Sequence, residues 1–355
     1  MSFDKLNEEV NKGLSGRNEG IPMGFDRLNR YIGIRKSMYF LVGGLTGSGK
    51  TSFIDDAFVL NPYDWFISNK NTNGIKLKIV YRSMERSRTY KMAKWVGRRI
   101  FLDYGVIISI NKLLGWTEKM TKDEHDLFLM QRNYMEQMDD VITIIDGPEN
   151  PVGIAKELKN YALQHGKIEQ LDEYNKIYIP EDPNVVTIVV IDHIGLLKTT
   201  KDLTTKKQVI DKMSDELRYA RDFFGYTPVV VSQFNRDISN IMRIKNGDVE
   251  PQLDDFKDSA TTQEDADVVL ALFDPMRYKV EDPSGYKLEK LKDEYGAKYF
   301  RSLRIIKNSY GSDDIRIGLA FLGEIGMFKE LKRRKEMTDS DYESVLNKSY
   351  FLEKY

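Results

Sequence analysis

The residues best able to do chemistry in this 355-residue chain are clustered in one octapeptide, Gly44-Leu45-Thr46-Gly47-Ser48-Gly49-Lys50-Thr51. It satisfies G-x-x-x-x-G-K-[ST], follows the apolar run MYFLV and precedes a segment able to form a helix, which is the context the motif requires. Glycines there let the backbone curl, so that its N–H groups and the N-terminus of the following helix face phosphate oxygens. Lys50 would reach the β and γ phosphates of a nucleoside triphosphate, and Thr51 would ligate Mg²⁺. ATP and Mg²⁺ are the expected ligands.

Such a loop needs a second metal anchor from a neighbouring strand end. VVTIVVID ends in Asp192 after an apolar run, which fits that role better than a turn cap does. His193 reads as a structural neighbour. LKIVYRS leads into Met84 and Glu85, and Glu85 is the candidate general base for a water attacking the γ phosphate. Its bland alternative is a cap or ion pair at a helix start, worth only about 0.3 to 1 kcal/mol. TPVVVSQ ends in Ser232 and Gln233, and Gln233 would hydrogen-bond phosphate or water in one nucleotide state and release it in another. Ligands of open α/β sheets lie beyond the strand C-termini, so four strand ends direct reactive residue types at one place.

The elements that must position these groups follow from hydrophobic patterning. Strands are expected near 38–43, 77–83, 141–146, 186–192, 227–233 and 268–273, alternating with helices, and a hairpin near 302–308 and 314–322 turns around Gly311. Runs such as VVTIVVID lack polar alternation, as central strands buried on both faces do. A doubly wound, mostly parallel α/β sheet of the P-loop NTPase class with a C-terminal β-hairpin is therefore expected. Residues 1–20 read as a helix with Phe3, Leu6, Val10 and Leu14 on one face, joined by a glycine-bearing link to a domain at 21–330. About 104–140 reads as a helical insertion. Residues 331–355 form a charged tail whose Lys332-Arg333-Arg334-Lys335 run precedes a short helix with Thr338 and Asp341 at capping-box spacing.

Composition narrows the classes. With no cysteine, a disulfide framework, a zinc-thiolate site and a cysteine nucleophile are excluded, and a cytoplasmic setting is the default. No apolar run reaches the ~18 residues of a membrane span. With 54 basic and 55 acidic residues, the net field offers no attraction to a polyanion, and nucleic-acid binding would rely on local patches.

Over roughly residues 18–325 the sequence resembles the RecA-like ATPase domain of DnaB-type replicative helicases. The likeness is carried by Gly20-Ile21-Pro22-Met23-Gly24-Phe25-Asp26-Arg27-Leu28-Asn29 before the P-loop, by Ser83-Met84-Glu85, and by Ile191-Asp192-His193-Ile194-Gly195-Leu196-Leu197. Ser232-Gln233-Phe234-Asn235-Arg236, Asp255-Phe256-Lys257-Asp258-Ser259 and Gln263-Glu264-Asp265-Ala266-Asp267 extend it. The resemblance implies an ATP-dependent motor that acts at subunit interfaces of a homo-oligomeric, hexameric ring, translocates on single-stranded DNA and unwinds duplex. It also implies that Glu85 is catalytic, that Gln233 couples nucleotide state to a DNA-binding loop, and that Lys257, Asp258 and Ser259 face the channel, with Lys257 on a DNA phosphate. Without the family, Lys257 reads equally as a surface partner of Asp254, Asp255 or Asp258.

Two departures from the family pattern stand out. The trans-acting K-x-R-N-G element appears as Lys307-Asn308-Ser309-Tyr310-Gly311, so the lysine is kept and serine replaces the arginine. On a regular strand Arg304 would face away from Lys307, and Arg301 would share its face about 20 Å along. Arg316 on the partner strand would lie beside Lys307 in a suitable register. Lys307, helped by Arg316, is thus the expected cation for the neighbouring ATP site. Second, only about twenty residues precede the ATPase region. The helix at 3–14 would pack on the adjacent subunit as a linker helix, and recruitment of a primase or loader is the less expected. The rival readings are a RecA-like recombinase, mediator or loader that binds DNA without unwinding it, and a nucleotide switch for assembly.

Overall fold

The computed structural model describes residues 3–14, 18–69, 74–235, 238, 240–246, 249–256, 260–282 and 284–353. Its strands are β1 (Phe40–Gly44), β2 (Lys76–Ser83), β3 (Ile142–Asp146), β4 (Gly166–Gln170), β5 (Lys176–Pro180), β6 (Val185–Asp192), β7 (Thr227–Gln233), β8 (Val268–Phe273), β9 (Phe300–Asn308), β10 (Ile315–Leu322) and β11 (Met327–Glu330). Nine of them form one sheet in the order β11-β10-β9-β8-β1-β7-β6-β2-β3. The six from β8 to β3 run parallel, and β9, β10 and β11 continue antiparallel. The expected strands coincide with the observed ones within two residues at either end. The expected hairpin is β9–β10, which β11 lengthens to three antiparallel strands. β4 and β5 form a separate two-stranded ribbon that hydrophobic patterning does not anticipate.

Alternate residues of each central strand enter opposite layers, which is what doubly wound means here. Val42, Ile79, Val190, Val231 and Leu270 pack against Phe53, Phe58, Tyr63 and Trp95 of the helices that follow the P-loop and β2. Leu41, Val80, Val189, Val230 and Ala271 pack against Ile154 and Leu158 of the Pro151–Gln164 helix and Val209, Met213 and Leu217 of the Lys206–Phe224 helix. Side-chain caps start these helices: Ser87 accepts from Tyr90 N, Asn150 from Gly153 N and Thr205 from Gln208 N, each worth about 1 kcal/mol.

Residues 104–140 hold the short helices Ile110–Leu113, Lys122–Met130 and Arg132–Asp139. Beyond β11, Thr338 and Asp341 form a reciprocal capping box, and Tyr342, Val345 and Phe351 are buried with Phe101, Tyr286 and Phe300 in a third apolar cluster. At the other end, the Phe3–Leu14 helix leaves Phe3, Leu6, Val10 and Leu14 at least half exposed. Among the described residues no helix is long and apolar enough to cross a membrane.

A buried ion pair locks the layer that carries the P-loop helix. Arg98 Nε lies 2.8 Å from Asp56 Oδ1, and Asp56 Oδ2 accepts from the backbone N of Phe328 in β11 at 2.7 Å. Burial pushes the Asp56 carboxyl above its ordinary range, a rise that Arg98 opposes and does not cancel. Removing the arginine leaves the carboxylate with nothing to offset its desolvation. Arg98→Met should therefore cost about 3–5 kcal/mol in urea unfolding at pH 8. An acid whose folded pKa is raised destabilises the native state above that pKa and ceases to do so as it protonates, so the penalty should shrink on acidification toward pH 5. An equal penalty at both values would show that the loss comes from packing alone.

Candidate nucleotide-binding site

The parallel register brings the reactive strand ends to one edge. Gly44 is level with Gln233 on one side and Leu272 on the other. Ser83 is level with Asp192, and Met84 N donates to Asp192 O at 2.8 Å, which carries Glu85 just past the edge. Between β1 and the Lys50–Ile54 helix the chain curls through the P-loop. A side chain at Gly44 would place its Cβ 2.8 Å from Leu272 O and 2.7 Å from Ser48 Oγ, and Gly49, at φ 96°, adopts the left-handed conformation immediately before the helix. Two arginines grip the loop backbone from outside. Arg301 Nε donates to Ser48 O at 2.8 Å, and Arg277 Nη1 donates to Thr46 O. The Ser48 hydroxyl is buried and makes no hydrogen bond among the described residues.

Thr46, Lys50, Thr51, Glu85, Asp192 and Gln233 line one crevice of about 400 Å³. Thr51 Oγ1 donates to Asp192 Oδ1 at 3.2 Å, so two hard oxygen donors stand side by side, a donor set suited to Mg²⁺. Lys50 Nζ donates to Leu45 O at 3.0 Å across the loop, and Gln233 Nε2 donates to Thr46 Oγ1 at 2.6 Å. The Glu85 carboxylate is half exposed, 3.7 Å from the Arg86 guanidinium. His193 borders the same space.

Behind Asp192 is a set of groups that sequence reasoning missed. Lys91, on the Arg88–Tyr104 helix, places Nζ 3.0 Å from Asp55 Oδ1 and 3.1 Å from Asp192 Oδ2. It also contacts the Tyr81 hydroxyl, which donates to Asp192 Oδ2 at 2.8 Å. Lys94 completes the set, 3.0 Å from Asp55 Oδ2. Burial pulls the Lys91 ammonium down, but Asp55 and Asp192 outweigh it and hold the group above its ordinary value. Burial likewise pushes Asp55 up, and Lys91 and Lys94 bring it below the usual carboxylate range. One signal was available: Asp55-Asp56 interrupts the apolar run FI–AFVL, where an acid pair needs buried cations. Arg277 and Arg301 left no comparable trace.

The cations expected to act on a neighbouring subunit lie elsewhere. Lys307 Nζ donates to the carbonyls of Gln263 and Glu264, each at 3.0 Å, and does not line the crevice. The pairing of β9 with β8 shifts register between Val269 and Leu270, so Lys307 is level with Val269 and Arg304 with Ala271. This bulge inserts one residue and reverses the expected parity. Arg304 therefore shares the face of Lys307, and Arg301, over the Phe321 ring, points to the other layer. Arg316 stands opposite Arg304, not beside Lys307, and is held on both oxygens of Glu250. Lys257, Asp258 and Ser259 lie outside the described residues.

Comparison with known proteins agrees with this geometry. The family profile of the DnaB-like helicase C terminal domain matches residues 20–330. The chain is 26% identical over 294 residues to the replicative DNA helicase DnaB of Helicobacter pylori (strain ATCC 700392 / 26695), covering 82% of this chain and 51% of that protein. It is 28% identical over 98 residues to the replicative DNA helicase DnaB of Mycobacterium leprae (strain TN), 28% of this chain and 15% of that one. The chain thus spans about half the length of the Helicobacter relative and much less of the mycobacterial one. Among solved structures, an ATPase domain determined on its own superposes with a TM-score of 0.68 at 19% identity, over 93% of this chain and 99% of that one. A DnaB-like replicative helicase, described with its interactions with primase, gives 0.65 at 19% identity over 94% and 67%. At such identity these superpositions establish the fold.

The loop geometry makes a direct demand at Gly44, where a methyl group would meet a backbone carbonyl that cannot turn aside. Gly44→Ala should weaken binding of a fluorescent ATP analogue by about tenfold or more, equivalent to some 1.4 kcal/mol, while circular dichroism shows the fold retained. Parental affinity in that variant would mean that the curl of the loop does not set binding.

Proposed function

Because the chain belongs to the family of DnaB-like helicase C-terminal domains, we propose that it is an ATP-driven motor that translocates on single-stranded DNA and unwinds duplex, working as a homo-oligomeric, hexameric ring. The observation that carries this reading is the convergence of P-loop, Asp192, Glu85 and Gln233 from four strand ends on one crevice. In it the loop backbone, Gly44 to Gly49, and Lys50 hold the triphosphate, and Thr51 and Asp192 hold Mg²⁺, which when bound neutralises charge on the β and γ phosphates. Glu85 accepts a proton from the attacking water. Gln233, joined to the loop through Thr46, precedes the segment that reaches Lys257, so its contact with phosphate is a means of passing nucleotide state to a DNA-facing loop. Lys257, Asp258 and Ser259 are proposed to meet the DNA backbone.

The ring is supported indirectly. The exposed apolar stripe of the Phe3–Leu14 helix suits docking on a neighbouring copy, and Lys307 at the end of β9 suits the ATP site of that neighbour. A primase or loader is the further partner proposed for the assembled protein. The rival reading, a DNA-dependent ATPase without unwinding activity, draws on Ser309 at the arginine position.

Two measurements test the proposal. ATP hydrolysis should rise on adding single-stranded DNA, a forked duplex should be separated, and Glu85→Gln should lower turnover by about 10²- to 10⁴-fold while ATP-analogue binding persists. DNA-stimulated hydrolysis without strand displacement would favour the rival, and hydrolysis indifferent to DNA would remove both. The intersubunit role is tested separately. Lys307→Ala should reduce DNA-stimulated turnover toward the ~10³-fold loss expected of a missing trans cation, with a smaller effect from Arg316→Ala. Parental rates in both variants would refute it.

A further inference from the structure

Asp192 uses its two oxygens in opposite directions. Oδ1 faces Thr51 in the crevice, and Oδ2 is held from behind by Lys91 and the Tyr81 hydroxyl. The lysine is buried, with 1% of its side chain exposed, and its two carboxylate partners are as deeply enclosed. Stability does not by itself explain such an arrangement, since apolar side chains filling the same space are commonly as stable as a buried ion pair or more so. What the arrangement supplies is a fixed rotamer for Asp192 and a fixed charge. Two carboxylates, Asp55 and Asp192, are matched by two ammonium groups, Lys91 and Lys94, and Lys50 adds a further positive charge on the crevice side.

We propose that Lys91 is a built-in counter-cation of the divalent-metal site: it aims one oxygen of Asp192 at Thr51 and keeps the site too nearly neutral to hold a metal ion without nucleotide phosphates. The metal then arrives with the triphosphate instead of residing on the free protein. Lys91 is a positioning residue and makes no contact with substrate. This inference rests on the nucleotide-site reading and adds to it the order in which metal and nucleotide become bound.

The sign of the charge provides the test, because an electrostatic role orders variants in a way that a packing role does not. Binding of Mn²⁺ alone to the full chain, in the absence of nucleotide, is followed by loss of the free-ion electron paramagnetic resonance signal. Lys91→Met exposes an uncompensated carboxylate and should bind Mn²⁺ at least about tenfold more tightly than the parental protein, and Asp55→Asn should bind it more weakly. The double variant Asp55→Asn/Lys91→Met restores the balance of charge and guards against failure of the single variant to fold. It differs from Asp55→Asn only at Lys91, so it must bind Mn²⁺ more tightly than Asp55→Asn. Equal or weaker binding in that comparison overturns the proposal, whatever the melting temperatures. A parental protein that binds no ATP analogue with Mn²⁺ present would instead sink the nucleotide-site reading, and the ordering of free-metal affinities would still be decided by the variants.

Discussion

The constraint on which this molecule depends is that six neighbouring strands run parallel and are covered on both faces. Their backbone groups are satisfied by adjacent strands and their side chains by apolar layers, so polar side chains are costly anywhere but at the strand ends. Parallel direction then places every C-terminal end on the same edge. Gly44 beside Gln233, and Ser83 beside Asp192, are consequences of register, not of any attraction between the groups themselves. The P-loop takes its place between them because β1 lies between β7 and β8, and there the connection turns away toward the helix that begins at Lys50.

Two adjacent acids translate that edge into a rigid site. Asp55 and Asp56 lie side by side at the start of the π-helical turn Asp55–Leu60, a widening often associated with functional positions. They face different cations on one helix, Lys91 with Lys94 for the first and Arg98 for the second. Burial raises both carboxyls. It is outweighed at Asp55 and not at Asp56, so the acid nearer the metal site keeps its charge more firmly than its neighbour. Breaking either pair leaves an enclosed charge unmet, so the P-loop helix and the Arg88–Tyr104 helix cannot slide past one another without cost. The charges fix the geometry that the apolar layers alone would leave adjustable.

What was legible in the sequence follows the same division. Central strands were readable because uninterrupted β-branched runs have few other uses, and the P-loop because glycine at Gly44 and Gly49 is demanded by backbone approach and by a positive φ. Their meeting in one crevice followed from the sheet class. β11 escaped notice because two of its four residues, Lys329 and Glu330, are charged and yet buried: Glu330 takes the Arg27 guanidinium, and Lys329 donates to the carbonyls of Tyr350 and Glu353. The β4–β5 ribbon is partly exposed and carries charges on alternate positions, so it reads as a loop. Lys91 was hidden by the same difficulty, since a lysine is ordinarily a surface residue and only the distant Asp55 and Asp192 make its burial tolerable. Pairing of this kind is a property of three dimensions.

The bulge in β9 shows how a single inserted residue redistributes function. By reversing parity after Ile305 it gathers Lys307, Arg304 and Arg316 onto one face, where a regular strand would have separated the first two. The three are not equivalent. Arg304 is held by Asp314, and Arg316 by Glu250, and each would have to surrender a carboxylate to meet a phosphate. The partners of Lys307 among the described residues are neutral carbonyls at the end of the Ala260–Asp265 helix, so its charge is oriented without being neutralised. Of the three cations Lys307 therefore gives up least in turning to an anion presented by another molecule. Its helix contact lies beside the segment that contains Lys257, so a shift of Lys307 toward a neighbour's phosphate would be felt next to the proposed DNA-facing residues. In that arrangement the lysine makes up for the serine at 309 by position, since one side chain touches both the subunit boundary and the base of the loop that nucleotide state is proposed to move.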